Sequence, residues 1–173
     1  YIQQIIDGEE NVLWPGSPIY FSKTSGTTSG TKYIPISKES MPNHIIAGRD
    51  AILSYIAETK NTSIVNGKMI FLQGTPKLSK TGNILTGRLS GIIAHHTPFY
   101  LVHNRLPSYK TNCILDWDRK IDVIIEETLP ENMSVISGIP PWVQMYFEKL
   151  KNKTGKAIKD IFPKFDLFIY GGV

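Results

Sequence analysis

Residues 18–36 read PIYFSKTSGTTSGTKYIPI, and the fold turns on how this stretch is divided. Pro18-Ile19-Tyr20-Phe21 is β-prone, as is Tyr33-Ile34-Pro35-Ile36, because β-branched and aromatic side chains fit a pleated surface. Between them, seven of the ten residues from Ser22 to Thr31 are Ser or Thr and two are Gly. The division is strand, polar loop, strand.

From Ser37 the period changes. Met41, Ile45, Ile52 and Ile56, widened by Ile46 and Leu53, recur at helical spacing. Ser37 is placed to cap this helix, and Pro42 is tolerated near its beginning. Lys68 to Gly74 reads as a buried strand stopped by Gly74 and Pro76. Residues 77–112 give no clear element beyond a turn at Lys80-Thr81-Gly82-Asn83 and a loop at Leu106-Pro107-Ser108. Asp116 then caps a second helix with Trp117, Ile121, Ile124, Ile125 and Thr128 on its core face, and Pro130 ends it. A strand at Met133 to Ser137 follows. Next comes a helix that opens near Pro140-Pro141 and puts Trp142, Val143, Met145, Tyr146 and Leu150 on its apolar side. A last strand spans Asp166 to Tyr170. Strands alternating with helices of this length imply an α/β fold, a mixed or parallel sheet covered by helices. No repeat, low-complexity tract or internal boundary divides residues 1–173.

The chain has 173 residues, 41% of them hydrophobic and 20% charged, which is the composition of a folded domain and excludes disorder. A membrane helix needs about 18 consecutive apolar residues, whereas Met69-Ile70-Phe71-Leu72 is a run of four. One cysteine, Cys113, cannot form an internal disulfide, and no secretory leader opens the chain, so a cytoplasmic setting is expected. The net charge of +4 gathers in Lys149, Lys151, Lys153, Lys156, Lys159 and Lys164. Without interleaved aromatics these read as the solvated side of a helix, and nucleic acid is disfavoured as a partner. The chain begins at Tyr1 rather than methionine and stops at Val173 just after an apolar run, so a piece of a longer protein, truncated at both ends, is expected.

Thr24-Ser25-Gly26-Thr27-Thr28-Ser29-Gly30-Thr31-Lys32 is the one dense chemical signal. Gly26 and Gly30 let backbone amides approach an anion, the hydroxyls of Ser25, Thr27, Thr28 and Ser29 can donate, and Lys32 adds a full positive charge. Polyphosphate suits such a loop. The spacing differs from the nucleoside-triphosphatase loop, whose glycines stand five apart with Lys directly after the second. Ser29-Gly30-Thr31-Lys32 also spells the Ser-x-x-Lys of penicillin-interactive hydrolases, but Pro35 opposes the helical turn that this chemistry needs. The bland alternative is a Ser/Thr-rich surface turn.

The loop resembles the phosphate loop of the adenylate-forming superfamily, whose pattern is Ser/Thr-Ser-Gly-Thr-Thr-Gly-x-Pro-Lys. Here Ser29 stands where that pattern has Gly, Gly30 comes one later and Thr31 replaces Pro. With Asn11-Val12-Leu13-Trp14 upstream and Val135 to Pro140 downstream, the chain is similar to the auxin-responsive promoter family of acyl-acid amido synthetases over essentially its whole length. The resemblance implies part of the large N-terminal adenylation domain, which binds ATP and an acyl acid. Ser25 to Gly30 would wrap the ATP phosphates, with Thr27, Thr28 and Lys32 as catalytic contacts. Tyr170-Gly171-Gly172-Val173 would wall the adenine, and Ser137, Gly138, Ile139 and Trp142 would lie near the acid. Magnesium is implied with its ligands mostly outside this chain. The motifs for magnesium, ribose and the mobile C-terminal domain are absent, so residues 1–173 are expected to be inactive alone.

The implied reaction activates a carboxylic acid as its acyl-adenylate and passes it to an amine or amino acid. An acyl-coenzyme A synthetase would share the first half-reaction, and a nucleotide or nucleic-acid binding module would use the loop without turnover. His95 and His96 diverge as neighbours and lack a carboxylate or Cys cluster, so no metal site is assigned. Either could border the acyl substrate. Cys113 reads as a small buried hydrophobe, and Glu126 and Glu127 read as solvent-facing.

Overall fold

The computed structural model describes residues 1–24 and 30–171. In chain order the elements are α1 (Ile2–Ile6), β1 (Tyr20–Thr24), β2 (Lys32–Ile36), α2 (Met41–Thr59), a 3-10 turn at Ser63–Asn66, β3 (Lys68–Leu72), β4 (Ser79–Thr81) and β5 (Ile84–Gly87). There follow α3 (Leu89–Ala94), α4 (Phe99–Val102), β6 (Arg105–Leu106), α5 (Tyr109–Asn112), α6 (Trp117–Thr128), β7 (Met133–Gly138), α7 (Pro140–Thr154), α8 (Ile158–Ile161) and β8 (Leu167–Ile169). The fold is α/β. The chain forms two compact units, one of Tyr1–Leu53 with Gly74–Thr97 and one of Ser54–Gln73 with Pro98–Val173. No shift in composition and no linker marks this division, because each unit draws on separate stretches of chain.

The first unit carries a mixed sheet in the order β2-β1-β5-β4. β1 runs antiparallel to β2 and parallel to β5, with Phe21 opposite both Pro35 and Thr86. One face buries Phe21 against Ile5 and Ile84. Another cluster gathers Ile36, Met41 and Ile92, with Tyr20 and Ile45 packed beside them. The turn expected at residues 80–83 joins β4 to β5, and Gly82 takes φ +59°. A Cβ at Gly82 would collide with the carbonyl oxygen of Ile6, so glycine is required there both for φ and for space.

Ser37 does cap, but one turn before the helix proper. Its Oγ accepts the Ser40 amide at 3.1 Å, the Ser40 hydroxyl accepts the Ser37 amide at 3.1 Å, and α2 starts at Met41. Only Met41 of that helix is buried, whereas Ile46 and Leu53, expected to widen its apolar stripe, are 41% and 52% exposed.

The second unit carries a wholly parallel sheet in the order β6-β3-β7-β8. Ile70, Leu72 and Ile136 pack with Ile121, Ile124 and Ile125 of α6 and with Val143, Tyr146 and Leu150 of α7. This is the largest core. Asp116 caps α6 by accepting the Arg119 amide at 2.8 Å, as its position before an amphipathic run requires. The late lysines are mainly exposed, and Lys149 pairs with Asp118 at 3.3 Å and with Asp122 at 3.1 Å. Glu127 departs from its solvent-facing assignment. It accepts both the amide and the hydroxyl of Ser108 at 2.7 Å, and the Thr111 hydroxyl, because an N-terminal turn with free donors lies within its reach. Cys113 is half-buried. Among the described residues no helix is long and apolar enough to cross a membrane.

Candidate functional site

In the first unit, the β1–β2 hairpin ends on the pair Thr24 and Lys32. The seven residues 25–31 therefore connect neighbouring strand ends. Ser25, Gly26, Thr27, Thr28 and Ser29 lie outside the described residues. Gly30 takes φ +77° with open space around its Cα, a conformation that glycine adopts without strain and other residues resist. Lys32 begins β2 and is exposed. Lys23, on β1, reaches the Ser79 hydroxyl at 3.4 Å and lies 6.0 Å from the centroid of the Tyr33 ring.

β1 and β5 are parallel, and Ser22 stands opposite Gly87. The polar loop thus leaves the sheet at the carboxyl end of a parallel pair, the edge at which open α/β sheets bind ligands. An amide-rich loop with a neighbouring ammonium can hold an anion there.

In the second unit, β3, β7 and β8 also end on a common edge. Ser137 stands between Phe71 and Ile169, and Gly138 stands beside Leu72. A Cβ on Gly138 would lie 3.0 Å from Leu72 Cβ and 3.3 Å from Val143 Cγ2, so glycine lets β7 and α7 approach. Ile139 precedes Pro140 at the first turn of α7, where a missing amide proton costs nothing. Tyr170 and Gly171 follow β8, while Gly172 and Val173 lie outside the described residues.

Trp142 is not a free ring. It stacks on Trp117 with centroids 4.2 Å apart, and Trp117 Nε1 donates to the Met145 sulfur at 3.1 Å. His95, in the first unit, holds the carbonyl oxygen of Pro76 through Nε2 at 2.7 Å, and His96 Nε2 lies 3.1 Å from the Tyr20 hydroxyl. The two rings have separate partners. Among the described residues no three His, Cys, Asp or Glu side chains gather as a metal would require.

Sequence reasoning missed Lys120. It lies in α6, three residues after Trp117 and four before Ile124, in phase with the apolar stripe, and is only 1% exposed. That phase was the available signal. Its ammonium donates to the Gln73 carbonyl at 2.8 Å and to the Asn112 carbonyl at 2.9 Å. Burial pushes its pKa down from the ordinary lysine range to about 8.

A profile of the GH3 family N-terminal domain matches residues 1–120. The chain belongs to the GH3 family. None of the curated proteins matches it. Among solved structures it is similar to the GH3.15 acyl acid amido synthetase, with a TM-score of 0.62 and 17% identity over 93% of this chain and 31% of that one. It is also similar to the AtGH3.15 acyl acid amido synthetase in complex with 2,4-DB, with a TM-score of 0.61 and 17% identity over 93% and 30% of the two chains. The chain thus shares the fold of the N-terminal part of a GH3 acyl acid amido synthetase and spans about a third of such a protein's length.

Proposed function

We propose that this GH3-family chain is the ATP- and acid-binding part of an acyl-acid amido synthetase of the adenylate-forming kind. The observation that carries this reading is the hairpin in which Thr24 and Lys32 pair across a glycine-bearing loop, with Gly30 at positive φ, at the carboxyl edge of β1 and β5. Ser25 to Gly30 would hold the ATP phosphates, with Thr27 and Thr28 donating hydroxyls and Lys32 its charge. Tyr170 to Val173 would border the adenine. Ser137, Gly138, Ile139 and the Trp142–Trp117 stack would border the acid. The complex of the solved AtGH3.15 relative with 2,4-DB supports a small-molecule acid as the ligand.

In the first half-reaction the carboxylate attacks the α-phosphorus of ATP, the bond to the bridging oxygen breaks, and pyrophosphate leaves with the electron pair. The carboxylate is already ionised near neutral pH, so no general base is required. The barrier is the crowding of negative charge, which preorganised amides, hydroxyls and Lys32 lower by facing the departing pyrophosphate. Magnesium, with its ligands mostly outside this chain, would share that load, and within the chain the phosphates would meet this loop's own donors. In the second half-reaction an amine or amino acid displaces AMP from the acyl-adenylate.

The test is product identity with the full-length protein and a panel of carboxylic acids. AMP formed in the presence of an amino acid is expected. AMP that appears only with coenzyme A would make the protein an acyl-coenzyme A synthetase, and nucleotide binding without AMP would make it a binding module.

A further inference from the structure

Lys120 is a buried cation with no carboxylate in contact among the described residues. Its partners are two backbone carbonyls, and the Trp117 ring centroid lies 5.8 Å from Nζ. Carbonyl dipoles offset only part of the cost of taking an ammonium out of water, and an apolar side chain of similar length would fill the same space without that cost. The same cluster holds unspent polarity. Among the described residues, the side-chain nitrogen of Gln73 and the side-chain oxygen of Asn112 are shielded from water and have no hydrogen-bond partner. Asn112 is 3% exposed, while Gln73 as a residue is half-buried. Buried polar groups are ordinarily satisfied, and a cluster that is not points to a ligand or a catalytic role.

The position of the cluster narrows that role. Gln73 directly follows Leu72, which stands beside Gly138, so Gln73 and Ile139 leave the parallel sheet together at its carboxyl edge. Asn112 ends α5, and Lys120 lies near the start of α6. The ammonium therefore ties the exit of β3 to the α5–α6 corner beside Ser137 to Trp142.

We propose that Gln73 contacts substrate and that Lys120 is its positioning residue: the ammonium fixes the β3 exit, and the Gln73 side-chain amide donates to an anionic oxygen bound at this edge. The inference rests on the adenylating function proposed above. The oxygen belongs to the acid's carboxylate, because Ser137 to Trp142, proposed to border the acid, leave the sheet at this same edge. The Gln73 nitrogen has no hydrogen-bond partner among the described residues to hold it in place. The titratable group whose charge acts on Lys120 is Cys113, which favours the protonated form against the larger effect of burial.

The experiment is steady-state AMP formation by the full-length protein, with separate KM values for the acid and for ATP, on wild type, Gln73→Leu, Lys120→Met and Lys120→Arg. Gln73→Leu is expected to raise the KM for the acid about tenfold or more and to leave the KM for ATP unchanged. Lys120→Met is expected to raise the same KM, the double variant to add little beyond either alone, and Lys120→Arg to restore part of the loss. In wild type that KM rises above about pH 8 as Lys120 loses its proton, and in Lys120→Met this step is gone. Gln73→Leu retains the backbone carbonyl that Lys120 holds, so it decides the matter if Lys120→Met does not fold. Natively folded Gln73→Leu with the KM for the acid unchanged would overturn the proposal. Wild type that forms no AMP with any acid would instead overturn the adenylating function, and the proposal with it.

Discussion

Thr24 faces Lys32 directly across the last rung of the β1–β2 hairpin, so residues far apart in chemical character are held at one sheet edge by backbone pairing alone. The position of Lys32 is thereby fixed by the strand and not by its side chain. Lys32→Ala in the full-length protein should leave the circular dichroism native and lower the rate of adenylation. A charge-assisted contact is worth about 1.5–3 kcal/mol, so a loss of roughly 10- to 150-fold is expected in single-turnover AMP formation.

Gly30→Val should act through the backbone. At φ +77° a β-branched residue is strained, and its side chain would obstruct an approaching phosphate. The rate of AMP formation should fall at least as far as in Lys32→Ala, and the strain should lower the melting temperature by several degrees. An unchanged rate in both variants, with native circular dichroism, would remove the phosphate assignment.

Tyr146 is fully buried, and its hydroxyl lies 2.7 Å from Thr128 Oγ1, which also bonds the Ile124 carbonyl at 2.7 Å. Burial raises its pKa, with the Thr128 bond acting weakly in the other direction. Tyr146→Phe removes one hydrogen bond but leaves Thr128 its carbonyl partner, and should cost about 1 kcal/mol in denaturant unfolding. Tyr146→Ala opens a cavity and should cost about 3–5 kcal/mol, within the range for large-to-small core changes.

Lys120 sets a pH dependence with a definite sign. Its folded pKa is about 8 against an ordinary lysine value of 10.5. Between those values the unfolded chain binds a proton that the folded chain does not, so stability rises with pH across that window. Below about pH 8 the full cost of the buried charge is present. The stability of Lys120→Met relative to wild type should therefore decline as pH rises from 7 to 10, as measured by denaturant midpoints. A difference that stays constant across that range would mean that Lys120 keeps its proton.

The elements that could be read in advance are those with a strong local pattern. α6 announces itself through Asp116 and an apolar stripe, α7 through Pro140 and Pro141, and the β1–β2 hairpin through two β-prone runs about a Ser/Thr loop. Residues 77–112 resisted because their elements are short. β4 and β5 have three and four residues, too few for a period to emerge, and they are fixed by pairing with each other and with β1.

The candidate site divides along the same line. The Ser/Thr- and Gly-rich loop, here proposed to hold phosphate, was legible because its chemistry is contiguous in the chain. Lys120 showed only as a lysine in phase with the apolar stripe of α6, and its pairing with Gln73 did not show at all, because the carbonyl that satisfies the ammonium lies 47 residues away. Trp142 was legible as part of the apolar side of α7 and was named for the site by the family resemblance, but its stacking on Trp117 depends on how α6 and α7 pack.

In the proposed function a carboxylate opens ATP at its α-phosphate. Adenylation is reversible while the acyl-adenylate stays bound, so the full-length protein should exchange labelled pyrophosphate into ATP when given the right carboxylic acid and no amine. Exchange that depends on the acid and is weakened by Lys32→Ala is the predicted result. Exchange that is absent across a broad acid panel, with ADP accumulating in its place, would contradict the account and make Lys32 a ligand of the transferred γ-phosphate.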